Sequence, residues 1–381
     1  MKGFTLRLCG DNGMGLDFKD IVQKFRFEGD YRSANIYGNG HIHDTYALVF
    51  QVGGHVRRYI LQRINQHVFR DPEGVQSNIE LVTAHLRRKI IAAGGDPQRE
   101  TLNLIPTLDG NSYYRSDEGD CWRSFIFIEG ARTYECVENL DHVYNAAKAF
   151  GNFQNMLSDF PSEQLVETIP NFHHTGMRYQ AFLAAVESDI ANRARFCQSE
   201  IDFVTQRAAK TSILTDMLAR ADLAERVTHN DTKFNNVMID DQTGEGTCII
   251  DLDTVMPGLS LYDFGDAIRS TATTATEDEP DLSKVNFDLA VYRCYTRGYL
   301  DAAGEILTPR EIEQLPFSAI LMTFECGMRF LTDHLQGDTY YKIHRQNHNL
   351  DRCRTQFKLV SDMEKQFDSM IDIIEGYREE I

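Results

Sequence analysis

The sequence predicts an α+β fold in two lobes: a small N-terminal lobe built on an antiparallel sheet, and a larger, mostly helical C-terminal lobe. Three observations carry this. Up to about residue 130, short apolar and aromatic runs alternate with glycine-marked turns, the pattern of strands that return on one another. Beyond that point apolar residues recur at helical spacing, as with Phe182, Val186 and Ile190 within Met177–Cys197. The helical part is interrupted once, at Val227–Arg269. There the apolar runs Val237–Ile239 and Cys248–Ile250 flank the turn-rich DDQTGEG. A chain of 381 residues with 42% hydrophobic content can bury more than one core. The lobes are expected to be 1–130 and 131–381.

Taken in order, Asp17 to Gly29 reads as a short amphipathic helix, with Asp17 as cap and Phe18, Ile21, Val22 and Phe25 on one face. A turn containing Gly38 and Gly40 leads into the strand Tyr46–Gln51, and Gly53-Gly54 turns the chain into a strand over Arg57–Asn65. Val75–Ala92 reads as a helix, with Ile79, Val82 and Leu86 facing inward and Gly94-Gly95 closing it. Ser112–Tyr114 and Trp122–Glu129 have the alternating, aromatic pattern of further strands. Helices follow at Leu140–Leu157 and Met177–Cys197. Thr308-Pro309-Arg310-Glu311 is a capping box that opens another. The last amphipathic stretch covers Gln356–Tyr377. The acidic run Glu277–Asp281 reads as a solvated loop.

Composition excludes several classes. Lys and Arg number 39 against 57 Asp and Glu, a net charge of −18, the opposite of the basic surface a general nucleic-acid binder presents. No apolar run reaches transmembrane length, and the opening MKGFTLRLCGDNGMG lacks a signal-peptide core. A cytoplasmic protein without a membrane partner is expected. The 8 cysteines form neither C-x-x-C pairs nor zinc-spaced clusters, and are expected to be reduced and structural.

The chemistry concentrates in VTHNDTKFNN at 227–236 and IIDLD at 249–253. His229-x-Asp231-x-Lys233-x-x-Asn236 has the spacing of a kinase catalytic loop. A hydroxyl attacking a γ-phosphate needs a carboxylate to orient it and take its proton, the role given to Asp231. Lys233 can spread positive charge over the phosphoryl oxygens. Asn236 and Asp251 offer hard oxygen ligands of the kind Mg²⁺ prefers. A hairpin folding back over this length brings Asp231, Asn236 and Asp251 around one small volume. Asp253 reads equally as a second metal contact or a solvated carboxylate. Asp263-Phe264-Gly265 spells a protein-kinase metal motif, yet Asp251 is the residue that directly ends the apolar strand.

These motifs resemble the aminoglycoside phosphotransferase and choline kinase superfamily, small-molecule kinases with a two-lobed, protein-kinase-like fold. The resemblance implies ATP and Mg²⁺ as cofactors, metal held by Asp251, and a catalytic loop braced by the later Asp263. It places the nucleotide in the first lobe. The Gly38–Gly40 turn then lies over phosphates, or remains a plain hairpin turn. The strand ending at Phe125-Ile126-Phe127-Ile128-Glu129-Gly130 meets adenine through backbone groups near Glu129. Many kinases carry a phosphate-binding lysine on the third strand. Here Gln62 and Arg63 stand in its place, and Arg63 either holds a phosphate oxygen or points to solvent. Glu80 either braces that basic group or is solvated.

YILQRIN at 59–65, THNDTKFNN, IIDLDTVMPG, DFGDAIR, ECGMRFLTDHLQGDTYY at 325–341 and HNLDRCRTQFKLV at 348–360 together resemble the bacterial N-acetylhexosamine 1-kinases. By that similarity the acceptor is the anomeric hydroxyl of N-acetylglucosamine or N-acetylgalactosamine. Asp231, His41, Arg329 and Tyr340 match positions that face the sugar. Read without the resemblance, Arg329 snorkels or bridges elements and Tyr340 is a packed aromatic. The other readings are a kinase for a choline, homoserine or aminoglycoside type of substrate, and a catalytically dead module that keeps the fold.

Overall fold

The computed structural model describes residues 18–38 and 42–380. Asp17, Gly40 and His41 fall outside them. By its contacts the chain forms two units, the first comprising the chain up to Ile64 together with Leu104–Phe127, the second comprising Asn65–Asn103 and everything from Ile128.

The first unit holds helix α1 (Phe18–Val22) and strands β1 (Asp30–Ile36), β2 (Asp44–Val52), β3 (His55–Arg63), β4 (Tyr113–Arg115) and β5 (Cys121–Ile126). They form an antiparallel sheet in the order β1-β2-β3-β5-β4. Side chains alternate across such a sheet. Leu48, Phe50, Tyr59, Leu61 and Trp122 bury one face against Val22 and Phe25. Gln62 therefore points to the other face. Helix α1 is shorter than the sequence suggests because Phe25 bridges to Thr107 and the Arg26 amide donates to the Pro106 carbonyl at 2.9 Å. Those bonds draw the backbone out of the helix.

The second unit starts with α2 (Pro72–Ala92), whose N-cap Asp71 accepts from the Gly74 amide and whose Pro72 lies in the first turn. It continues through β6 (Ala131–Arg132), α3 (Leu140–Met156), α4 (Thr175–Ser188), α5 (Gln198–Thr205), α6 (Ile213–Ala219), β7 (Arg226–Thr228), β8 (Val237–Asp240), β9 (Gly246–Ile249) and β10 (Met256–Gly258). It ends with α7 (Ser260–Thr271), α8 (Leu289–Ala303), α9 (Pro309–Leu335), α10 (His348–Lys365) and α11 (Phe367–Glu380). The mixed α+β class agrees with the sequence, but the single boundary near residue 130 is corrected. Helix α2 belongs to the second unit, because buried Asn78 donates to the carbonyls of Val166 at 2.8 Å and Val255 at 2.9 Å.

Helix α4 stops earlier than its apolar pattern suggests. Asp189 takes a left-handed conformation, and its carboxylate accepts the Arg193 and Ala194 amides. The final stretch is split at Gln366 into α10 and α11. The described cysteines are free thiols, and no helix among the described residues is long and apolar enough to cross a membrane.

Helices α7 and α9 approach closely at Gly265, where an added Cβ would lie 2.5 Å from both the Ser318 carbonyl oxygen and Met322 Cγ. Gly265→Ala is therefore expected to destabilise the chain by about 1–3 kcal/mol through overpacking. Calorimetry would read this as a lowered Tm, and an unchanged Tm would contradict such tight packing.

Candidate active site

The site is built on two strand pairs. Thr228 of β7 pairs with Met256 of β10, and Val237 of β8 with Ile249 of β9. The Ile250 amide donates to the Asn236 carbonyl at 2.9 Å, extending the second ladder by one step. Asn236 and Asp251 therefore emerge at the same end of the hairpin.

The loop at 229–236 is fixed from several directions. Both carboxylate oxygens of buried Asp263 are used: Oδ2 accepts the His229 amide at 2.9 Å and Oδ1 the Asn230 amide at 2.7 Å. The Gln154 amide group also donates to Asp263 Oδ2, and the Thr232 hydroxyl to the Asp263 carbonyl. Asn230 is left-handed, with φ 64°, and its Nδ2 donates to the Thr254 carbonyl at 2.9 Å. Thr254 returns its hydroxyl to the His229 carbonyl at 2.7 Å. His229 Nδ1 accepts the Asp231 amide at 3.3 Å, so Nε2 carries the proton that goes to the Ile250 carbonyl at 2.9 Å. Asp263 is thus the brace of this loop.

At its head, Lys233 Nζ lies 2.8 Å from Asp231 Oδ1. Asn236 Nδ2 donates to the Asp231 carbonyl at 2.8 Å and to Oδ2 at 3.2 Å. With its amide nitrogen so committed, Asn236 presents Oδ1 as the atom suited to a cation. Burial pushes the Asp231 carboxyl up, but Lys233 with His229 and Arg269 outweighs it, and the net direction is down. Burial likewise opposes the charge on Lys233, while Asp231 and Asp266 outweigh it and hold the ammonium protonated.

Asp251 is also left-handed, at φ 61° and ψ 56°, a conformation rare outside glycine and frequent at functional sites. Ligand oxygens of Asp251 and Asp253 lie within 4.8 Å of each other. Asp251 is exposed and Asp253 buried. With Asn236 Oδ1 these carboxylates make a hard, oxygen-only donor set suited to Mg²⁺.

Helix α9 sets Glu325, Arg329 and Asp333 on one face, four residues apart. Buried Glu325 accepts from His173 Nδ1 at 2.8 Å and from the Thr175 hydroxyl, and His173 Nε2 reaches the Asn230 carbonyl at 3.0 Å. The loop at 229–236 is thereby tied to α9. Arg329 holds its guanidinium 4.8 Å from the Phe172 ring centre and 5.9 Å from that of Tyr341. Asp333 accepts the amides of Thr339 at 2.8 Å, Tyr340 at 2.8 Å and Tyr341 at 3.0 Å, which sets the Tyr341 ring. Tyr340 packs edge-on against Tyr341 and is 49% exposed.

In the first unit, Gly38 has φ 76°, and among the described residues nothing lies within 4 Å of where a Cβ would sit. Arg63 is paired with Asp44 at 2.9 Å and Asp120 at 3.3 Å, and lies over the Trp122 ring. Its guanidinium is therefore paired with two carboxylates on the core-bearing face of the sheet, with the side chain 35% exposed. In the second unit, Glu80 is exposed on α2. The Glu129 carbonyl accepts from Arg99 at 3.2 Å.

Sequence reasoning missed Gln154, His173, Asp266, Glu325 and Asp333. Gln154 and His173 meet their partners across 109 and 152 residues, a separation with no local signature.

Removing the Lys233 ammonium takes away the largest effect that opposes burial at Asp231 and leaves only His229 and Arg269 against it. In Lys233→Met the acid limb of the pH–rate profile is expected to move to higher pH, because the base then holds its proton longer as pH rises. An unmoved acid limb would show that Lys233 does not set the ionisation of Asp231.

The chain is similar in structure to the microcompartment-associated aminopropanol kinase, with a TM-score of 0.55 at 15% identity over 93% of this chain and 98% of that one. It is similar to an aminoglycoside phosphotransferase from Alicyclobacillus acidocaldarius, with a TM-score of 0.63 at 13% identity over 97% and 100%. For choline kinase from Cryptosporidium parvum the TM-score is 0.52 at 13% identity over 90% and 92%. At such identities the likeness is one of fold. The phosphotransferase enzyme family matches residues 36–298, more than half of the chain and all of the braced loop, and the chain belongs to that family.

Proposed function

We propose that this phosphotransferase moves the γ-phosphoryl group of ATP to the anomeric hydroxyl of an N-acetylhexosamine, giving the sugar 1-phosphate. The observation that carries the reading is the Asp231–Lys233 pair, 2.8 Å apart at the head of a loop held by Asp263. Asp231 Oδ2, steadied by Asn236, orients the acceptor hydroxyl and receives its proton. The acceptor oxygen forms its bond to phosphorus as the bond to the ADP oxygen breaks. Lys233 faces the charge on the transferred oxygens. Asn236 Oδ1 and Asp251, joined by Asp253, would hold Mg²⁺, which when bound neutralises phosphate charge. The Gly38 turn and the backbone near Glu129 are assigned to phosphate and adenine.

Arg329 supports this acceptor class. A guanidinium between two aromatic rings keeps its N–H donors in its own plane, where sugar hydroxyls and an acetamido carbonyl are suitable acceptors. The exposed Tyr340 ring supplies a stacking face. The same cation repels a quaternary ammonium or a polyamine, which disfavours choline and aminoglycoside acceptors.

ADP release with Mg-ATP should be measured across N-acetylglucosamine, N-acetylgalactosamine, glucose, galactose, choline and kanamycin, with phosphorus NMR on any product. An anomeric phosphate on an N-acetylhexosamine is expected. Turnover confined to choline or kanamycin would overturn the acceptor, and no turnover on any of them would overturn the reading. Asp231→Ala should lower turnover by roughly 10²–10⁴-fold, the contribution of a positioned base, with nucleotide affinity little changed. Unchanged turnover would remove Asp231 from the mechanism.

A further inference from the structure

Two guanidiniums meet at one aromatic ring in the second unit. Phe172 lies just ahead of α4, and Arg178 is the fourth residue of that helix. Arg178 Nε and Nη2 donate to the Phe172 carbonyl at 3.0 and 2.9 Å, which fixes the plane of the guanidinium. Its Nη1 meets no acceptor among the described residues. The Arg178 guanidinium lies 6.0 Å from the Phe172 ring centre, and that of Arg329 lies 4.8 Å from the same ring. Both arginines are half-buried, so each keeps part of its surface open to solvent.

Charges drawn partly out of water are normally paired with an opposite charge. Here the pairing is missing. Among the described residues no carboxylate lies within ion-pair distance of Arg178 or Arg329. Glu325 stands one turn before Arg329 on α9, but its Oε1 is taken by His173 Nδ1 and its Oε2 by the Thr175 hydroxyl. The Phe172 and Tyr341 rings attract a cation through their faces and carry no charge to neutralise it. Burial and the Arg329 charge pull the Arg178 guanidinium below its ordinary range, and Glu325 only partly offsets them. The chain as a whole carries −18, so an acidic ligand gains nothing from the overall field and depends on a local pair of cations such as this one.

We propose that Arg178 and Arg329 form an anion subsite that takes a carboxylate carried by the acceptor away from its reacting hydroxyl, as in an N-acetylhexosamine oxidised to the acid at C6. The inference rests on the acceptor reading above, which puts Arg329 beside the sugar. Arg178 Nη1 and the N–H groups of Arg329 donate to the carboxylate oxygens, a planar group that suits guanidinium donors. The neutral sugar is then the poorer acceptor of the two.

The test compares ADP release with N-acetylglucosamine and with N-acetylglucosaminuronate at saturating Mg-ATP. The unaltered chain should favour the uronate in kcat/KM by about 10- to 100-fold, the scale of a charge-assisted hydrogen bond. In Arg178→Met that preference should shrink by about 10-fold or more. Arg178→Lys keeps the charge but loses the fork, and its preference should fall between the two. Each variant is first melted thermally, and Arg178→Lys carries the test if Arg178→Met does not fold. No preference in the unaltered chain would overturn the proposal. Equal losses for both acceptors would make Arg178 a structural residue and overturn it too. So would a raised KM for ATP with the acceptor preference intact, which would give the pair to the nucleotide. Turnover of neither sugar by the unaltered chain would instead overturn the acceptor reading, and this proposal with it.

Discussion

The site depends on one buried carboxylate. Asp263 takes two successive backbone amides, His229 and Asn230, that no strand or helix satisfies. Left alone, each such amide would cost about 1–3 kcal/mol. A left-handed asparagine adds strain of a similar order, about 1–3 kcal/mol. The loop holds this shape because Asp263 engages the amides from below, Thr254 engages Asn230 from the side, and His173 takes its carbonyl. Asp231, the next residue, inherits its direction from these bonds. Asn236 then fixes the carboxylate itself.

From that loop the constraints run outward to α9. Glu325 reaches Asn230 through His173, Arg329 stands one turn further along between Phe172 and Tyr341, and Asp333 one turn beyond gathers the amides of residues 339–341. A single helix face therefore relates the position of Asp231 to that of Arg329. The electrostatics agree with the geometry. Asp231 is kept ionised by Lys233 against burial, and Lys233 is kept charged by Asp231 and Asp266, so a carboxylate and an ammonium coexist side by side.

What was legible in the sequence was what is local. The loop spacing, the hairpin and its acidic end lie within a few residues of one another, and the strand rule alone brings Asn236 and Asp251 to the same end. The α+β class followed from a change of period along the chain. Features that depend on distant partners were not legible. The Asn78 amide, which binds α2 to Val166 and Val255, has no trace in the helix pattern of α2. Phe25 fits a helix face until its bridge to Thr107 is known.

Two aspartates are proposed to divide the labour, Asp263 shaping the loop and Asp251 holding the metal. The direct measurement is the Mg²⁺ dependence of kcat for Asp263→Asn and Asp251→Asn. In Asp263→Asn one carboxylate oxygen becomes an amide group facing a backbone donor. Turnover is then expected to fall about 10²-fold, the scale of a misplaced reacting group, at every Mg²⁺ concentration and with half-saturation unmoved. In Asp251→Asn half-saturation should move to higher Mg²⁺. Recovery of Asp263→Asn by added Mg²⁺, with Asp251→Asn indifferent to it, would contradict the account.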